Sequence, residues 1–222
     1  SDVEALSHAS LLWRSLTHWV GGMGVLVFML AILPLAGGHT IYLMRAESPG
    51  PSVTKLSPHL RDTALTLYAI YFGLTVLQIV LLLFGGMPFF DALNTALATA
   101  GTGGFGIWNT SMAHYNSFYL QAVVTVFMIL FGINFSFYFL LLTRRWRAAF
   151  QIEEVRLYLG VILASAVVIG LNIRPMFHSI WESLHHAFFQ VGSIITTTGF
   201  STVDFDQWPA LSKCILVILM LI

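Results

Sequence analysis

Two short stretches of this 222-residue chain carry the residue types best suited to chemistry: Ala100-Gly101-Thr102-Gly103-Gly104-Phe105 and Ile195-Thr196-Thr197-Thr198-Gly199-Phe200. Neither pairs a nucleophile with a base, and no Gly-Lys-Ser/Thr follows to make a phosphate loop. Their chemistry is that of oxygen. Glycine reaches backbone angles closed to other residues, so carbonyls can be turned toward one axis, and threonine adds hydroxyl oxygens. Several such carbonyls can replace the water shell of a monovalent cation. A single Thr-Gly-Gly is usually an ordinary turn. Here a shift of 95 residues superimposes Gly104-Phe105 on Gly199-Phe200, Thr102 on Thr197 and Ala92 on Ala187. That register marks an internal repeat.

Each stretch is preceded by an amphipathic segment of helical length, Pro88 to Leu97 and Ile180 to Phe189, too short to cross a bilayer. A short helix entering from outside ends with its carbonyls near the membrane midplane, where they present about −0.5 charge. Asp91 and Glu182 sit in the first turns, at the end where the dipole favours carboxylates. Non-helical backbone at that depth survives only where protein buries it or it lines a water-filled cavity.

The rest of the chain suits a membrane. Hydrophobic residues make up 57%, charged residues 9%, and mean hydropathy is +0.82, whereas soluble domains carry about 25% charge. Apolar runs cover Leu11–Leu35 (closed by Pro34 and Gly37-Gly38), Ala64–Phe84, Phe118–Leu142, Leu157–Ile173, and Leu211 onward. About 20 such residues span a bilayer. Arg45, Lys55, Arg61, Arg144, Arg145, Arg147 and Arg156 fall on one side, and Arg14, Arg174 and Lys213 on the other. Seven against three makes the first side cytoplasmic, with Arg144-Arg145-Trp146-Arg147 as a topology anchor. Asp2 and Glu4 stand where a secretory signal would be basic, so none is expected.

Other residues read more plainly. The lone Cys214 is expected to pack rather than react. His185 and His186 are adjacent and point about 100° apart on a helix. With His178 they fit packing or the mouth better than a metal. Asp204 and Asp206 could gather cations at the outer mouth or simply be solvated. Gly21-Gly22-Met23-Gly24 suits close helix approach. Gly132 and Asn134 could line a cavity or meet a neighbouring helix. A formal net charge of zero argues against a nucleic-acid partner.

Taken in order, four motifs resemble the Trk/Ktr/HKT potassium transporter family, in particular its TrkH type. They are Trp13-Arg14-Ser15-Leu16-Thr17-His18-Trp19-Val20-Gly21-Gly22-Met23-Gly24, Arg45-Ala46-Glu47-Ser48-Pro49-Gly50-Pro51, Thr102-Gly103-Gly104-Phe105, and Thr196-Thr197-Thr198-Gly199-Phe200-Ser201-Thr202. The resemblance implies an all-α membrane protein of K+-channel-like helix–pore-loop–helix units, four repeats around one pore. Residues 1–58 would be the second helix of repeat one with a cytoplasmic loop. Residues 59–152 would be repeat two, and 153–222 repeat three up to the start of its second helix.

The family's selectivity filter then falls on Thr102, Gly103, Gly104, Phe105, Thr197, Thr198, Gly199 and Phe200. Potassium would sit at the carbonyls of Thr102, Gly103, Thr197 and Thr198. Gly101 and Gly106 depart from the family's more usual Ala and Ser. The resemblance further implies potassium as the transported ion, no cofactor, surrounding membrane lipid, a homodimer, and a TrkA-like cytosolic nucleotide-binding regulatory subunit. It implies the bacterial cytoplasmic (inner) membrane, and a glycine-rich gate just beyond Ile222. With the first and fourth loops absent, this segment alone is not expected to conduct. A secondary transporter with half-helices is the competing reading, but it calls for inverted repeats, and these run in one sense. A membrane enzyme lacks its acid pair or His-Glu-x-x-His, so no enzymatic activity is expected.

Overall fold

A computed structural model describes residues 2–24 and 60–221. The Pro34 and Gly37-Gly38 end of the first run, the Arg45–Pro51 motif, Lys55 and the boundary at 58/59 lie outside the described residues. Every regular element among the described residues is helical. Helix α1 is His8–Trp19, capped by the Ser7 hydroxyl, and it runs into a π-helical turn at Val20–Gly24 that bends at Gly22 (φ −60°, ψ −120°). Helix α2 is Leu60–Phe84, α3 Phe89–Ala100 and α4 Phe118–Gly132. Helix α5 is Phe135–Leu142, α6 the short Trp146–Phe150, and α7 Glu153–Ile173. Helix α8 is Ile180–Ile195 and α9 is Ala210–Leu219.

Helices α2 and α7 are each long and apolar enough to cross a membrane. The run Phe118–Leu142, expected as one span, is instead two helices. It breaks at Ile133, whose extended ψ of 138° ends α4. No proline causes this. The Ile133 N–H turns back to the Leu130 carbonyl (3.1 Å), and the Asn134 amide donates to Glu154 Oε2 on α7 (3.2 Å). Of the two roles open to Asn134, the structure shows the bond to a neighbouring helix.

The two loop-bearing units share a core. Leu82, Met87, Ala92, Leu120, Val124 and Met128 pack with Phe189 and Phe200, so that α2, α3 and α4 meet α8 and the turn that follows it. A second cluster joins α7, α8 and α9 through Ile162, Ile169, Ala187, Val191, Trp208 and Leu216. Burying such a side chain stabilises by about 1.5–3 kcal/mol where water is the alternative. Outward faces stay apolar, with Phe72, Phe84, Leu157 and Leu163 exposed, as lipid contact requires. Cys214 lies exposed on α9.

Candidate functional site

The two amphipathic segments fold as α3 and α8, and their first turns are held from outside. The Asp91 carboxylate accepts a short hydrogen bond from the Tyr115 hydroxyl, which in turn accepts one from Trp108 Nε1 at 3.1 Å. Burial, then Asp91 beside it, pushes the Tyr115 hydroxyl's pKa up, so it remains a donor. On α8, the Ser179 hydroxyl caps Trp181 N–H at 3.2 Å, and Glu182 accepts the His178 N–H at 3.1 Å.

The inner ends match bond for bond. The N–H groups of Gly101, Thr102 and Gly103 reach back to the carbonyls of Leu97, Thr99 and Ala98 at 3.0, 3.1 and 2.9 Å. Those of Thr196, Thr197 and Thr198 reach back to Gly192, Ile194 and Ser193 at 3.3, 3.0 and 2.9 Å. The Gly104 and Gly199 N–H groups follow, to Ala98 and Ser193 at 3.4 and 3.3 Å. Every pair obeys the shift of 95 residues. So does the backbone hand: φ is +50° at Thr102 and +56° at Thr197, then +62° at Gly104 and +90° at Gly199, while Gly103 and Thr198 between them are not positive.

This pattern fixes where the oxygens go. In a trans peptide the N–H of one residue points opposite to the carbonyl of the residue before it. With the N–H groups of residues 102–104 turned to the end of α3, the carbonyls of Gly101, Thr102 and Gly103 face away from it. By the same reasoning the carbonyls of Thr196, Thr197 and Thr198 face away from α8. Alternating right- and left-handed residues is what aligns successive peptides in this way. The two turns are also neighbours. A Cβ added to Gly104 would run into the Thr198 carbonyl oxygen and come within 3.0 Å of the Gly199 carbonyl carbon. A cavity of about 460 Å³ borders the first turn, lined by Thr17, His18, Gly21, Gly22, Gly101 and Thr102.

The two phenylalanines differ. Phe200 is 1% exposed and Phe105 40%. The Ser193 hydroxyl donates to the Phe200 carbonyl at 2.6 Å, whereas the matching position in the first unit is Ala98, which has no hydroxyl to give. Phe105 instead leans on the His18 ring, 4.4 Å between centroids, beneath the Arg14 guanidinium at 5.1 Å. Arg14 Nη2 also donates to the Gly106 carbonyl at 2.7 Å, and a Cβ on Gly103 would sit 2.6 Å from His18 Nδ1. Arg14 and His18 thus grip the first turn from α1, a role no sequence argument assigned. Their spacing of four, one face of a helix, is the signal that could have raised it. Gly101 answers for its own identity, since an added Cβ would sit 2.5 Å from the His18 carbonyl oxygen. Gly106 has no neighbour closer than 3.7 Å and does not require glycine.

The remaining candidates bind their own surroundings. His185 Nε2 pairs with Gln121 Oε1 on α4 and His186 Nδ1 with Thr202 Oγ1, each at 2.8 Å. Asp204 holds its own turn, accepting from Asp206 N–H at 3.1 Å and Gln207 Nε2 at 3.0 Å. In the segment after the first turn, Asn109 bonds Asp2, Val3 and Glu4, and its amide holds the Asp2 carboxyl below the usual range.

The model of the TrkH family, described as cation transport protein, matches residues 1–222. The chain is 38% identical over 213 residues to the Trk system potassium uptake protein TrkH of Salmonella typhimurium, covering 93% of the chain and 44% of that protein. It is 30% identical over 221 residues to the uncharacterized cation transporter MJ1485 of Methanocaldococcus jannaschii, covering 100% of the chain and 44% of that protein. The crystal structure of the potassium transporter TrkH from Vibrio parahaemolyticus aligns with a TM-score of 0.80 at 27% identity, over 98% of this chain and 44% of that one. The chain therefore spans less than half the length of the relatives it matches.

Proposed function

The chain belongs to the TrkH family of cation transport proteins, an all-α membrane fold of repeated helix–pore-loop–helix units, and from that premise we propose that it supplies two walls of a potassium uptake pore. The observation that carries this reading is the matched pair of turns. In each, four consecutive N–H groups are tied to the preceding helix and three carbonyls are left facing away from it. Oxygens so held can take the place of an ion's water shell. The coordinating carbonyls are those of Thr102, Gly103, Thr197 and Thr198, with Gly104, Phe105, Gly199 and Phe200 shaping the filter. Residues 1–58, 59–152 and 153–222 are the parts of three successive repeats.

The test is growth and uptake. A potassium-transporter-deficient cell expressing the complete gene should regain growth at limiting potassium. Failure to take up potassium, with the protein present in the membrane, overturns the reading. The finer reading follows the family: a bacterial inner-membrane protein, homodimeric, with a nucleotide-binding cytosolic regulator, and no enzymatic role.

Two further outcomes are expected in the complete protein. Arg14→Gln removes the guanidinium from Phe105 and weakens the hold on Gly106. A charged hydrogen bond contributes about 1.5–3 kcal/mol, so half-saturation for potassium should rise by roughly tenfold, read from uptake against concentration. Neutralising Arg144, Arg145 and Arg147 together should disturb topology or response to the cytosolic partner, with potassium-over-sodium preference unchanged. Accessibility labelling of introduced cysteines checks the first part, and competition uptake the second.

A further inference from the structure

In each loop-bearing unit a tyrosine of the first helix braces the last helix of the repeat before it, and we infer that Tyr71 and Tyr158 are positioning residues for the inner end of the filter. The inference rests on the pore reading above and adds a part to it. The observation is a second coincidence of register. The Tyr71 hydroxyl, on α2, donates to the Trp19 carbonyl at 3.0 Å. The Tyr158 hydroxyl, on α7, donates to the Ile129 carbonyl at 3.2 Å. Three residues beyond each accepting carbonyl stands a glycine, Gly22 or Gly132, at or next to the place where its helix opens. Trp19 and Ile129 are 110 residues apart, and so are Gly22 and Gly132.

Each glycine touches the same two things. A Cβ on Gly22 would lie 2.8 Å from the Tyr71 hydroxyl and 3.2 Å from Gly101 Cα. A Cβ on Gly132 would run into the Tyr158 hydroxyl and lie 2.8 Å from Thr196 Cγ2. Gly101 and Thr196 are the matching first residues after α3 and α8. An opened helix leaves carbonyls without their usual partners, which hydrocarbon does not tolerate. Here a hydroxyl from the next repeat bonds a carbonyl at the opening, and the same oxygen lies against the glycine that packs on the residue just before the filter. The bend of one helix, the packing of the next repeat and the inner edge of the filter are therefore set by a single phenolic oxygen. The break after Gly132 carries another hydroxyl, Tyr138 to the Leu130 carbonyl at 2.7 Å. That one comes from the same repeat and offers a comparison.

The test is made in the complete transporter, in a potassium-transporter-deficient cell, with Tyr71→Phe, Tyr158→Phe and Tyr138→Phe. Phenylalanine keeps the ring and removes only the oxygen. Loss of one such bond is expected to change potassium-over-sodium preference and half-saturation roughly two- to tenfold in the Tyr71 and Tyr158 variants. Tyr138→Phe should leave both where they were. Amounts in the membrane, measured alongside, separate a folding defect, and either of the two bracing positions suffices if the other variant is not inserted. Variants that lose maximal uptake only in proportion to protein amount, with preference and half-saturation unchanged, overturn the inference. So does an equal shift in all three variants. Absence of potassium uptake by the unmodified protein would instead sink the pore reading itself.

Discussion

Gly104→Ser, introduced into the complete transporter, should cut potassium-over-sodium preference by about tenfold or abolish uptake, for two separable reasons. The first is conformational. Gly104 sits at φ +62°, where an L-residue is disfavoured by about 1–2 kcal/mol, roughly a five- to thirtyfold change in an equilibrium. The second is steric. A Cβ there meets the Thr198 carbonyl oxygen, and a carbonyl is backbone, not a side chain that can swing aside. Yielding would turn one of the proposed coordinating oxygens. Gly199→Ser meets the first cost at φ +90° and should fall in the same direction. Competition between potassium and sodium for uptake reads both. Unchanged preference in both variants would remove these residues from any filter.

Gly132→Val should be the next most damaging single change. The added atoms have the Tyr158 hydroxyl and Thr196 Cγ2 in their way, and overpacking a tight contact costs about 1–3 kcal/mol. Valine is also stiff at χ1, so it has few ways to avoid the clash. The contact joins α4 to α7 and to Thr196 together, so neither can retreat without moving the other. Maximal uptake should drop by about tenfold or more, with a lowered thermal midpoint of the detergent-purified protein. Gly160→Val is the comparison: nothing lies within 4 Å of an added Cβ there, and little change is expected. Equal behaviour of the two variants would show that Gly132 is not a contact that matters.

How far these features could be read in advance depends on how local their causes are. The short helices and the turns after them are legible because their determinants lie within about twenty consecutive residues: an acid in the first turn, small residues at the end, and a glycine at the second positive-φ position of each turn. The shift of 95 residues then gave the relation between the two copies. The break at Ile133 was not legible. Phe118–Leu142 is apolar apart from a few scattered polar residues and contains no proline, and the groups that bond the opening come from Tyr158 and Glu154, on another helix. Gly132 and Asn134 were noticed, yet residue type alone could not choose between a cavity and a neighbouring helix. The exposure of Phe105 against the burial of Phe200 likewise follows from partners in α1 and from Ser193, where the other copy has alanine. Contacts between repeats are written in positions that only the fold aligns.

The bonds that shape each turn have one more property. The donor and acceptor of every backbone bond that ties a turn to its own helix lie at most six residues apart, the longest being Gly104 to Ala98 and Gly199 to Ser193. Closing so short a loop takes on the order of 100 ns or less in a free chain, far ahead of the docking of one membrane segment on another. Each helix with its turn can therefore take shape while its own hairpin is entering the lipid, ready-made before its neighbours arrive. Biogenesis would then proceed by bringing together finished pieces, and the late, rate-limiting events would be the meetings between them.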